Sequence, residues 1–433
     1  MPGKITGDVW AIPSKSHLHR LLIFAALSEK ETFLSCAETE AEDIQATIDC
    51  LTALGATVEK QDGGFAVTPI FSRSAVCYAP LSASECPIIL PCMESGSTLR
   101  FMLPVANALG ICGAFEMKGR LPERPLAPLD SQLERNGINL WRDKPDVLRC
   151  EGRLQIPGSY HIAGNISSQY ISGLLMALPV LNGFSTLSVS LPLESADYVS
   201  MTLEAAETFG QKPDIEKRDN GFHYNIEGTG SYISPGQIAV EGDWSNGAFW
   251  LCAGAMPGGN IQLRGLKKNS SQGDREICNI LTRMGARVKW EGDELHITED
   301  GRNGTEIDAR ATPDLVPVLA AVAAAGTDTT VIRNAGRLRL KESDRLFSTA
   351  RILTALGADI TEAEDSLVIN GRPHLSGGTV DSFGDHRIAM TAAIASAACT
   401  EPVIITGAQA VNKSYPAFWK DLAALGKDVR VEE

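Results

Sequence analysis

Charged side chains are concentrated in one segment, residues 337–345, which carries four cations and two carboxylates in a chain of formal net charge −14. Its alternation of arginine, leucine and lysine predicts the end of a β-strand with the cations on one face, followed by a helix from Glu342 to Leu356. Carboxylates among cations at such a junction are typical of proton transfer beside a bound phosphate or carboxylate. A solvated charged turn has the same composition, so the segment alone does not decide its function.

Short polar segments precede six apolar stretches that are typical of helices. Ser, Thr and Asp cap helices, and any one of these segments is by default a cap. Because six occur in register, we expect their helix N-termini, with backbone N–H groups and positive dipole ends, to converge on an anion-binding region. The segments are residues 14–16, 95–97, 167–169, 243–245, 312–314 and 385–387.

The elements that must position these segments recur along the chain. Each copy combines an apolar helix face, a glycine that tolerates positive φ and a following strand. We therefore predict an α/β (α+β) fold of six β-α-β-α-β-β repeats, three in each of two lobes. The helix-ending glycines are Gly55, Gly285 and Gly357 in the clearest copies and Gly137, Gly210 and Gly426 in weaker ones.

Composition restricts the class of ligand. The acidic net charge and an aromatic content of 6% argue against a nucleic-acid surface, which needs a basic face and stacking rings. We therefore expect the basic residues to bind small anions. The longest apolar stretch, residues 315–325, is too short to span a membrane, and no signal-like segment follows Met1, so we expect a cytoplasmic enzyme and a monomer.

Cofactor and metal signatures are missing from the sequence. It contains no Gly-x-Gly-x-x-Gly, no Gly-x-x-x-x-Gly-Lys-Ser/Thr, no Gly-x-Ser-x-Gly and no His-Glu-x-x-His. Its 10 cysteines include no Cys-x-x-Cys pair, which argues against a disulfide framework and a zinc site. We expect neither a cofactor nor a metal.

An ordered series of motifs covers essentially the whole chain and resembles the family of 5-enolpyruvylshikimate-3-phosphate synthases. Its clearest members are Pro-Ser-Lys-Ser at residues 13–16, Glu-Ser-Gly-Ser-Thr at 94–98, Leu-Pro-Glu-Arg-Pro at 121–125, Ser-Ser-Gln at 167–169, Lys-Glu-Ser-Asp-Arg at 341–345, Asp-His-Arg at 385–387 and Asn-Lys-Ser-Tyr-Pro at 412–416.

The resemblance implies transfer of an enolpyruvyl group from phosphoenolpyruvate to the 5-hydroxyl of shikimate 3-phosphate, with release of phosphate. It also implies a two-lobed inverse α/β barrel-like fold with the active site in the cleft between the lobes. The first strand would belong to the lobe of the last three repeats. The expected domains are residues 1–12 plus 234–433, and residues 13–233.

The resemblance assigns residues to both substrates, which need guanidinium forks for carboxylates and phosphates, and lysines as point charges. The shikimate 3-phosphate residues would be Lys15, Ser16, Arg20, Ser167, Ser168, Gln169, Ser195, Asp314 and Lys341. The phosphoenolpyruvate residues would be Lys15, Gly96, Arg124, Gln169, Arg345, Arg387 and Lys413.

The resemblance further suggests addition followed by elimination through a tetrahedral intermediate. Asp314 is our candidate for the base that takes the 5-hydroxyl proton. Glu342 is the candidate for adding a proton to the methylene carbon and removing one afterwards. Lys15 and Lys413 are candidates for protonating the leaving phosphate. Two residues depart from the family pattern: Glu94 replaces a frequent Asn, and Phe101 replaces a frequent Pro or Leu.

Two alternatives remain open. The sister enolpyruvyl transferase family that acts on UDP-N-acetylglucosamine shares the fold and the donor. It usually has a reactive cysteine in a loop where this chain, at residues 119–125, has none. A non-catalytic anion-binding or RNA-end-processing protein on the same repeat would need a basic surface, or a histidine nucleophile among glycines, whereas His386 lies between Asp385 and Arg387.

Overall fold

The computed structural model describes residues 3–70 and 87–432. Two compact units make up the chain. The N-terminal unit comprises Lys15–Glu38 and Glu42–Val240, and the C-terminal unit comprises Met1–Ser14, Thr39–Ala41 and Glu241–Glu433. This division differs by a few residues from the boundaries drawn from the sequence. Cys77 and Cys86 lie outside the described residues, and the cysteines within them are free.

Short strands alternate with helices along the whole described chain. The strands are β1 (Thr6–Trp10), β2 (Thr32–Ser35), β3 (Thr57–Gln61), β4 (Gly64–Thr68), β5 (Ile88–Met93), β6 (Gly113–Met117), β7 (Ile138–Lys144), β8 (Val147–Gly152), β9 (Gly158–Ala163), β10 (Asn182–Ser190), β11 (Asp214–Arg218), β12 (Gly221–Thr229), β13 (Gln237–Ala239), β14 (Asn260–Arg264), β15 (Arg287–Glu291), β16 (Glu294–Thr298), β17 (Glu306–Asp308), β18 (Thr329–Arg333), β19 (Asp359–Glu362), β20 (Leu367–Asn370), β21 (Gly378–Asp381) and β22 (Val403–Thr406). The helices are α1 (Lys15–Ala26), α2 (Glu42–Ala53), α3 (Gly96–Leu109), α4 (Leu129–Arg135), α5 (Ser168–Ala177), α6 (Ala196–Thr208), α7 (Trp244–Ala255), α8 (Ile277–Arg283), α9 (Val316–Ala324), α10 (Arg345–Ala355), α11 (His386–Ala395) and α12 (Phe418–Ala424).

Five of the six repeats share one four-stranded sheet plan. A leading strand pairs in parallel with the second strand, and the other two strands pair antiparallel. The N-terminal unit contains the orders β13-β2-β4-β3, β5-β6-β8-β7 and β9-β10-β12-β11. The C-terminal unit contains β1-β14-β16-β15, β17-β18-β20-β19 and the pair β21-β22. Mixed helices and small sheets in a repeated order confirm the predicted fold class.

The leading strands of the first and fourth repeats are exchanged. β1 opens the first repeat in the sequence but pairs in parallel with β14, in register from Thr6 opposite Asn260 to Trp10 opposite Arg264. β13 opens the fourth repeat but pairs with β2. One sheet in each unit therefore contains a strand that lies, in the sequence, next to the repeats of the other unit.

The sixth repeat differs from the prediction. It contains β21, α11, β22 and α12, but residues 427–432 form no strand. Within the described residues, the sixth copy therefore lacks the closing pair of strands that the sequence predicted. The predicted helix-ending glycines do adopt positive φ, as in Gly55 at 101° and Gly426 at 94°.

The predicted strand at the start of residues 337–345 is wrong. Gly336–Leu340 forms a 3₁₀ turn, and α10 begins at Arg345 rather than at Glu342. The Asp344 carboxylate accepts the Phe347 N–H at 3.1 Å, which fixes the helix start. Arg339 forms ion pairs with Asp344 and Glu362, so the cations do not line one strand face.

Buried helices set the positions of the polar helix starts. In α9 every residue from Val316 to Ala324 is buried, which is the pattern of a helix enclosed on all sides. The 3₁₀ turn Pro313–Leu315 immediately precedes α9, so Asp314 lies close to the interior. Within the described residues, no helix is long and apolar enough to cross a membrane.

Candidate active site

Arg345 is the centre of a buried ion cluster in the C-terminal unit. It is the first residue of α10 and is 1% exposed. Its Nε and Nη2 donate to the two Asp385 carboxylate oxygens at 2.7 and 3.2 Å. Nη1 donates to Asp314 Oδ1 at 2.6 Å, and Nη2 lies 2.8 Å from Glu342 Oε2. One guanidinium therefore holds three carboxylates, two of which are the predicted proton-transfer groups.

Asp385 can hold Arg345 in place because other hydrogen-bond donors fix the Asp385 carboxylate itself. It is the N-cap of α11, where its Oδ1 accepts the Arg387 N–H at 2.9 Å and its Oδ2 accepts the Ser343 hydroxyl at 3.0 Å. Burial raises its pKa, but the charges of Arg345 and His386 together with the hydrogen bonds from Arg345 hold the pKa below the usual range. The carboxylate thus stays ionised in the interior.

Asp314 lies among three cations. Besides Arg345, its Oδ1 is 3.3 Å from Lys341 Nζ and 3.7 Å from Arg387 Nε. Burial alone would raise its pKa, but Lys341, Arg387 and Arg345 hold it well below the usual range. Burial also lowers the pKa of Lys341, although the Asp314 charge opposes this. The predicted base is therefore fully ionised and electrostatically restrained.

A second buried carboxyl lies behind Arg387. Arg387 Nη2 donates to Ser245 Oγ at 2.7 Å, and its Nη1 donates to the Asp314 carbonyl at 3.2 Å. Asp274 interacts with Ser245 and with the Arg387 charge. Burial, reinforced by the Asp314 charge, raises the pKa of Asp274 to about 6. This carboxyl is thus the group in the cluster that titrates near neutral pH.

Lys413 contacts the backbone just before Asp385. It lies in the 3₁₀ turn Ala408–Lys413, and its Nζ donates to the Gly384 carbonyl at 2.9 Å. Gly384 immediately precedes Asp385 in the sequence. The structure therefore brings Lys413 to the start of α11.

In the N-terminal unit, helix α1 carries the predicted phosphate-binding cations. Lys15 is its first residue, and its Nζ pairs with Asp43 Oδ2 of α2 at 2.6 Å. Ser16 follows, and its carbonyl accepts a hydrogen bond from Arg20 Nη1 at 2.6 Å. Lys15, Ser16 and Arg20 are thus held within the first turns of one helix, as the sequence predicted.

Arg20 is a buried cation held only by neutral groups. It is 2% exposed, and its guanidinium donates to Thr202 Oγ1 at 2.8 Å, the Tyr198 carbonyl at 2.9 Å and Ser172 Oγ at 3.4 Å. Within the described part of the chain no carboxylate lies within ion-pair distance of it. Burial lowers its pKa to about 10. A buried positive charge without a counter-charge favours an anionic ligand.

Phe101, one of the two departures from the family pattern, packs against this guanidinium. Its ring centroid lies 5.2 Å from Arg20 Cζ, and the Tyr198 ring centroid lies 5.9 Å from the same atom. The other departure, Glu94, has its carboxyl group against Gly119: a Cβ on Gly119 would lie 2.5 Å from Glu94 Cδ. Phe101 therefore supports a predicted site residue.

Gln169 joins the starts of helices α3 and α5. Its Nε2 donates to Ser97 Oγ at 2.9 Å, and its Oε1 accepts from Arg100 Nη1 at 3.1 Å. A Cβ placed on Gly96 would lie 2.5 Å from Arg100 Nη1 and 2.6 Å from Arg124 Nη1. Gly96, Arg124 and Gln169 are thus brought together, and glycine leaves room for two guanidinium groups.

The three predicted serines occupy helix starts. Ser167 is the N-cap of α5, where its Oγ accepts the Gln169 N–H at 3.3 Å, and Ser168 is the first helical residue. Ser195 precedes α6 with a φ of 53°, a strained backbone conformation for a residue with a side chain. Its carbonyl accepts the Tyr198 N–H at 3.2 Å, which links Ser195 to the turn that binds Arg20.

The EPSP synthase (3-phosphoshikimate 1-carboxyvinyltransferase) family model matches residues 1–422. The chain belongs to this family. A protein named 3-phosphoshikimate 1-carboxyvinyltransferase from Clostridioides difficile (strain 630) is 41% identical over 428 residues, covering 98% of this chain and 96% of that protein. One of the same name from Clostridium novyi (strain NT) is 40% identical over 428 residues, with coverage of 98% and 96%.

Solved structures share the fold. The EPSP synthase from Acinetobacter baumannii superposes with a TM-score of 0.77 at 23% identity, covering 100% of this chain and 98% of that one. The enolpyruvyl transferase NikO from Streptomyces tendae gives 0.75 at 18% identity, with coverage of 99% and 96%. Membership of the EPSP synthase family supports the first interpretation of the sequence over its two alternatives.

Sequence reasoning assigned no role to several residues of these clusters. Asp385 belongs to the Asp-His-Arg motif and Arg100 lies two residues after the Glu-Ser-Gly-Ser-Thr motif, but a motif does not reveal which side chains turn inward. Asp43 and Asp274 lay outside the motifs that were assigned roles. Among the described residues, no group of three or more His, Cys, Asp or Glu side chains is placed to hold a metal ion.

Proposed function

We propose that this protein transfers the enolpyruvyl group of phosphoenolpyruvate to the 5-hydroxyl of shikimate 3-phosphate, giving 5-enolpyruvylshikimate 3-phosphate and phosphate. The observation that carries the proposal is the pair of carboxylates, Asp314 and Glu342, within 2.6 and 2.8 Å of the single guanidinium of Arg345. Addition needs one proton taken from the 5-hydroxyl and one delivered to C3, and two fixed carboxyl groups can serve these two atoms.

We assign the acceptor to Arg20 and the polar helix starts of the N-terminal unit and to Asp314 and Lys341 of the C-terminal unit. We assign Arg20 to the 3-phosphate, because this anion supplies the counter-charge that the buried guanidinium lacks. Serine hydroxyls and helix N-termini complete the binding of phosphate and ring. The acceptor set is Lys15, Ser16, Arg20, Ser167, Ser168, Gln169, Ser195, Asp314 and Lys341.

The donor has a carboxylate and a phosphate, which call for guanidinium forks. Glycine at position 96 admits a close approach of backbone N–H groups to the phosphate. We assign Lys15, Gly96, Arg124, Gln169, Arg345, Arg387 and Lys413 to phosphoenolpyruvate.

In the addition step, Asp314 takes the 5-hydroxyl proton while the hydroxyl oxygen bonds to C2 of the donor, and Glu342, entering the step as the protonated acid, delivers its proton to C3 and becomes a carboxylate. In the elimination step, Glu342 removes a proton from C3 as the C2–O bond to phosphate breaks. We assign Lys15 and Lys413 as candidate proton donors to the leaving phosphate. Bound anions neutralise Lys341 and Arg387 in part, which raises the basicity of Asp314 during addition.

Phosphate release measured with each acceptor tests the proposal. With phosphoenolpyruvate present, shikimate 3-phosphate should support release of one phosphate for each enolpyruvyl product, and UDP-N-acetylglucosamine should support none. Arg20→Gln should weaken binding of shikimate 3-phosphate, whereas Arg218→Gln, in an exposed ion pair with Glu216, should not. Release with the nucleotide sugar instead, or with neither acceptor, would refute the proposal.

A further inference from the structure

We propose that His19 is a positioning residue for the start of helix α3, acting through a one-directional chain of buried hydroxyls that ends at Ser95. Ser95 adjoins Gly96, which is assigned above to phosphoenolpyruvate, so the inference rests on the proposed function. His19 itself touches no substrate atom in this proposal.

The hydrogen-bond chain is continuous and fully enclosed. His19 Nδ1 lies 2.7 Å from Thr47 Oγ1, and Thr47 Oγ1 lies 2.7 Å from Thr98 Oγ1. Thr98 Oγ1 donates to Ser95 Oγ at 2.8 Å. His19, Thr47 and Thr98 are 0% exposed and Ser95 is 1% exposed. Hydrogen bonds sealed from water cost most when broken, because the orphaned group finds no other partner.

Two side-chain contacts link α1 to α2 like the rungs of a ladder, and the His19–Thr47 hydrogen bond is the second of them. Lys15 and Asp43 form the first rung at 2.6 Å. His19 and Thr47 each lie four residues further along their helices, so they meet one turn later. Thr98, in the first turn of α3, connects this ladder to the third helix. The helix that carries Lys15 and Arg20 is thereby tied to the helix that begins at Gly96.

The number of hydrogens on each hydroxyl determines which group donates and which accepts along the hydrogen-bond chain. A hydroxyl donates one hydrogen, and both donations of Thr98, to Ser95 and to the Asp43 carbonyl at 3.4 Å, point away from Thr47. Thr47 must then donate to Thr98, so His19 must donate to Thr47 from Nδ1. Its buried Nε2 then carries a lone pair and has no hydrogen-bond partner among the residues that the structure describes. Burial, with the Lys15 and Arg20 charges, lowers the pKa of His19 and keeps it neutral.

Ser95 is the point at which the chain acts. It is the N-cap of α3, where its Oγ accepts the Thr98 N–H at 3.2 Å as well as the Thr98 hydroxyl. Both acceptor positions of Ser95 are therefore filled from Thr98, which fixes the first turn. On its other side the turn is held by the bond from Gln169 to Ser97. Loosening the His19 side should shift Gly96 against Arg100 and Arg124.

Thr47→Val tests the chain, because valine keeps the shape and removes the central hydroxyl. Its KM for phosphoenolpyruvate should rise about three- to tenfold, the effect of one or two lost hydrogen bonds, while the Kd of shikimate 3-phosphate stays within about twofold. Thr32→Val is the matched control: Thr32 is also 0% exposed and bonds one hydroxyl, Ser234, in the same unit. It should leave both constants unchanged. Equal KM values in the two variants would overturn the proposal.

His19 variants give a second kinetic test. His19→Asn places an amide N–H near the position of Nδ1, and should restore KM to within about twofold of the parent value. His19→Leu removes the donor and should match Thr47→Val. If the asparagine and leucine variants raise KM equally, the donated hydrogen bond is not what positions α3.

The histidine tautomer can be measured without any enzyme assay. Two-bond ¹⁵N–¹H correlation spectra of the intact ¹⁵N-labelled protein, with the His19 signals assigned by comparison with His19→Asn, should show hydrogen on Nδ1 and a bare Nε2. Hydrogen on Nε2 would refute the direction of the chain. An inactive parent protein that still shows the Nδ1–H form would refute the proposed function and leave the hydrogen-bond chain intact.

Discussion

The guanidinium groups of two buried arginines, Arg20 and Arg345, have different kinds of hydrogen-bond partner. Arg345 meets three carboxylates, whereas among the described residues Arg20 meets hydroxyls, carbonyls and the rings of Phe101 and Tyr198. A buried cation already paired with carboxylates is neutralised before any ligand arrives, and one held by neutral groups is not. We therefore expect Arg20 to contribute more to anion affinity and Arg345 more to the placement of Asp314 and Glu342.

Asp314→Asn should lower kcat by about a hundred- to ten-thousandfold, the usual contribution of a positioned base. Asparagine keeps the shape but accepts no proton. Steady-state kinetics and calorimetric titration with shikimate 3-phosphate measure the effect and separate it from lost binding. Asp308→Asn, in an exposed ion pair with Arg310 of the same unit, serves as the control. Near-normal turnover of the Asp314 variant would remove this residue from the mechanism.

Gly96→Ala should raise KM for phosphoenolpyruvate, because the added methyl would lie 2.5 Å from Arg100 Nη1 and 2.6 Å from Arg124 Nη1. These are the ends of flexible side chains, so the arginines should move and the melting temperature should change little. Gly292→Ala tests a glycine with open space around it, although its φ of 60° adds strain. An unchanged KM would show that Gly96 serves only to start the helix.

Asp274→Asn should make stability less sensitive to pH. The folded pKa of about 6 exceeds the unfolded value of about 3.9, so ionisation of Asp274 costs stability as the pH rises between them. Asparagine removes this cost. The variant should therefore gain up to about 3 kcal/mol relative to the parent between pH 4 and 7. Denaturant unfolding at several pH values measures this gain, and a pH-independent difference would contradict the assignment.

At the scale of secondary-structure elements, the residues at the helix N-termini contribute both to stability and to the candidate site. Ser95, Ser167 and Asp385 each cap a helix by accepting a backbone N–H in its first turn. The same starts present Gly96, Gln169 and Arg387. A cap in this fold therefore both stabilises a helix and orients a candidate binding residue.

Two aspartate caps in the C-terminal unit should differ in strength. Asp344→Ala removes a partly exposed cap of α10 and should cost about 1 kcal/mol. Asp385→Ala removes a cap and also leaves the buried Arg345 without its bidentate partner, which should cost about 3–5 kcal/mol. Chemical denaturation of both variants tests the ranking. Equal losses would mean that Arg345 finds a replacement partner.

At the scale of the whole molecule, the exchange of β1 and β13 makes each unit depend on a distant part of the chain. β1 completes the sheet of β14, and β13 completes that of β2. Ile5 and Val9, from the first ten residues, belong to the core of the C-terminal unit. Folding of that unit therefore needs both ends of the sequence.

Ligand binding should stabilise the whole protein. At about one hundred times its Kd, shikimate 3-phosphate adds about 2.7 kcal/mol and, for cooperative unfolding of a chain of this length, should raise Tm by about 3 °C. Shikimate without its phosphate should raise Tm less at the same concentration, since it lacks the anion assigned to Arg20. Scanning calorimetry measures both shifts. Equal shifts would show that the phosphate is not recognised.

The sequence alone determined the repeat plan and most of the residues brought into the two clusters. Helix-ending glycines and capping residues are local signals, because φ preference and N–H capping depend on nearest neighbours. Thus α1 begins at Lys15, and Gly55 and Gly357 adopt positive φ, as predicted. The family resemblance then indicated which polar residues belong to the same substrate site.

Tertiary structure decided what local signals could not. The alternation in residues 337–345 suggested a strand, but the ion pairs of Arg339 with Asp344 and Glu362 and the cap at Asp344 produced a turn instead. The Arg345–Asp385 pair joins residues 40 apart in sequence, and the hydrogen bond between Arg20 and Thr202 joins residues 182 apart. Such partners are selected by burial, since a charge or hydroxyl removed from water must find a partner wherever the folded chain supplies one.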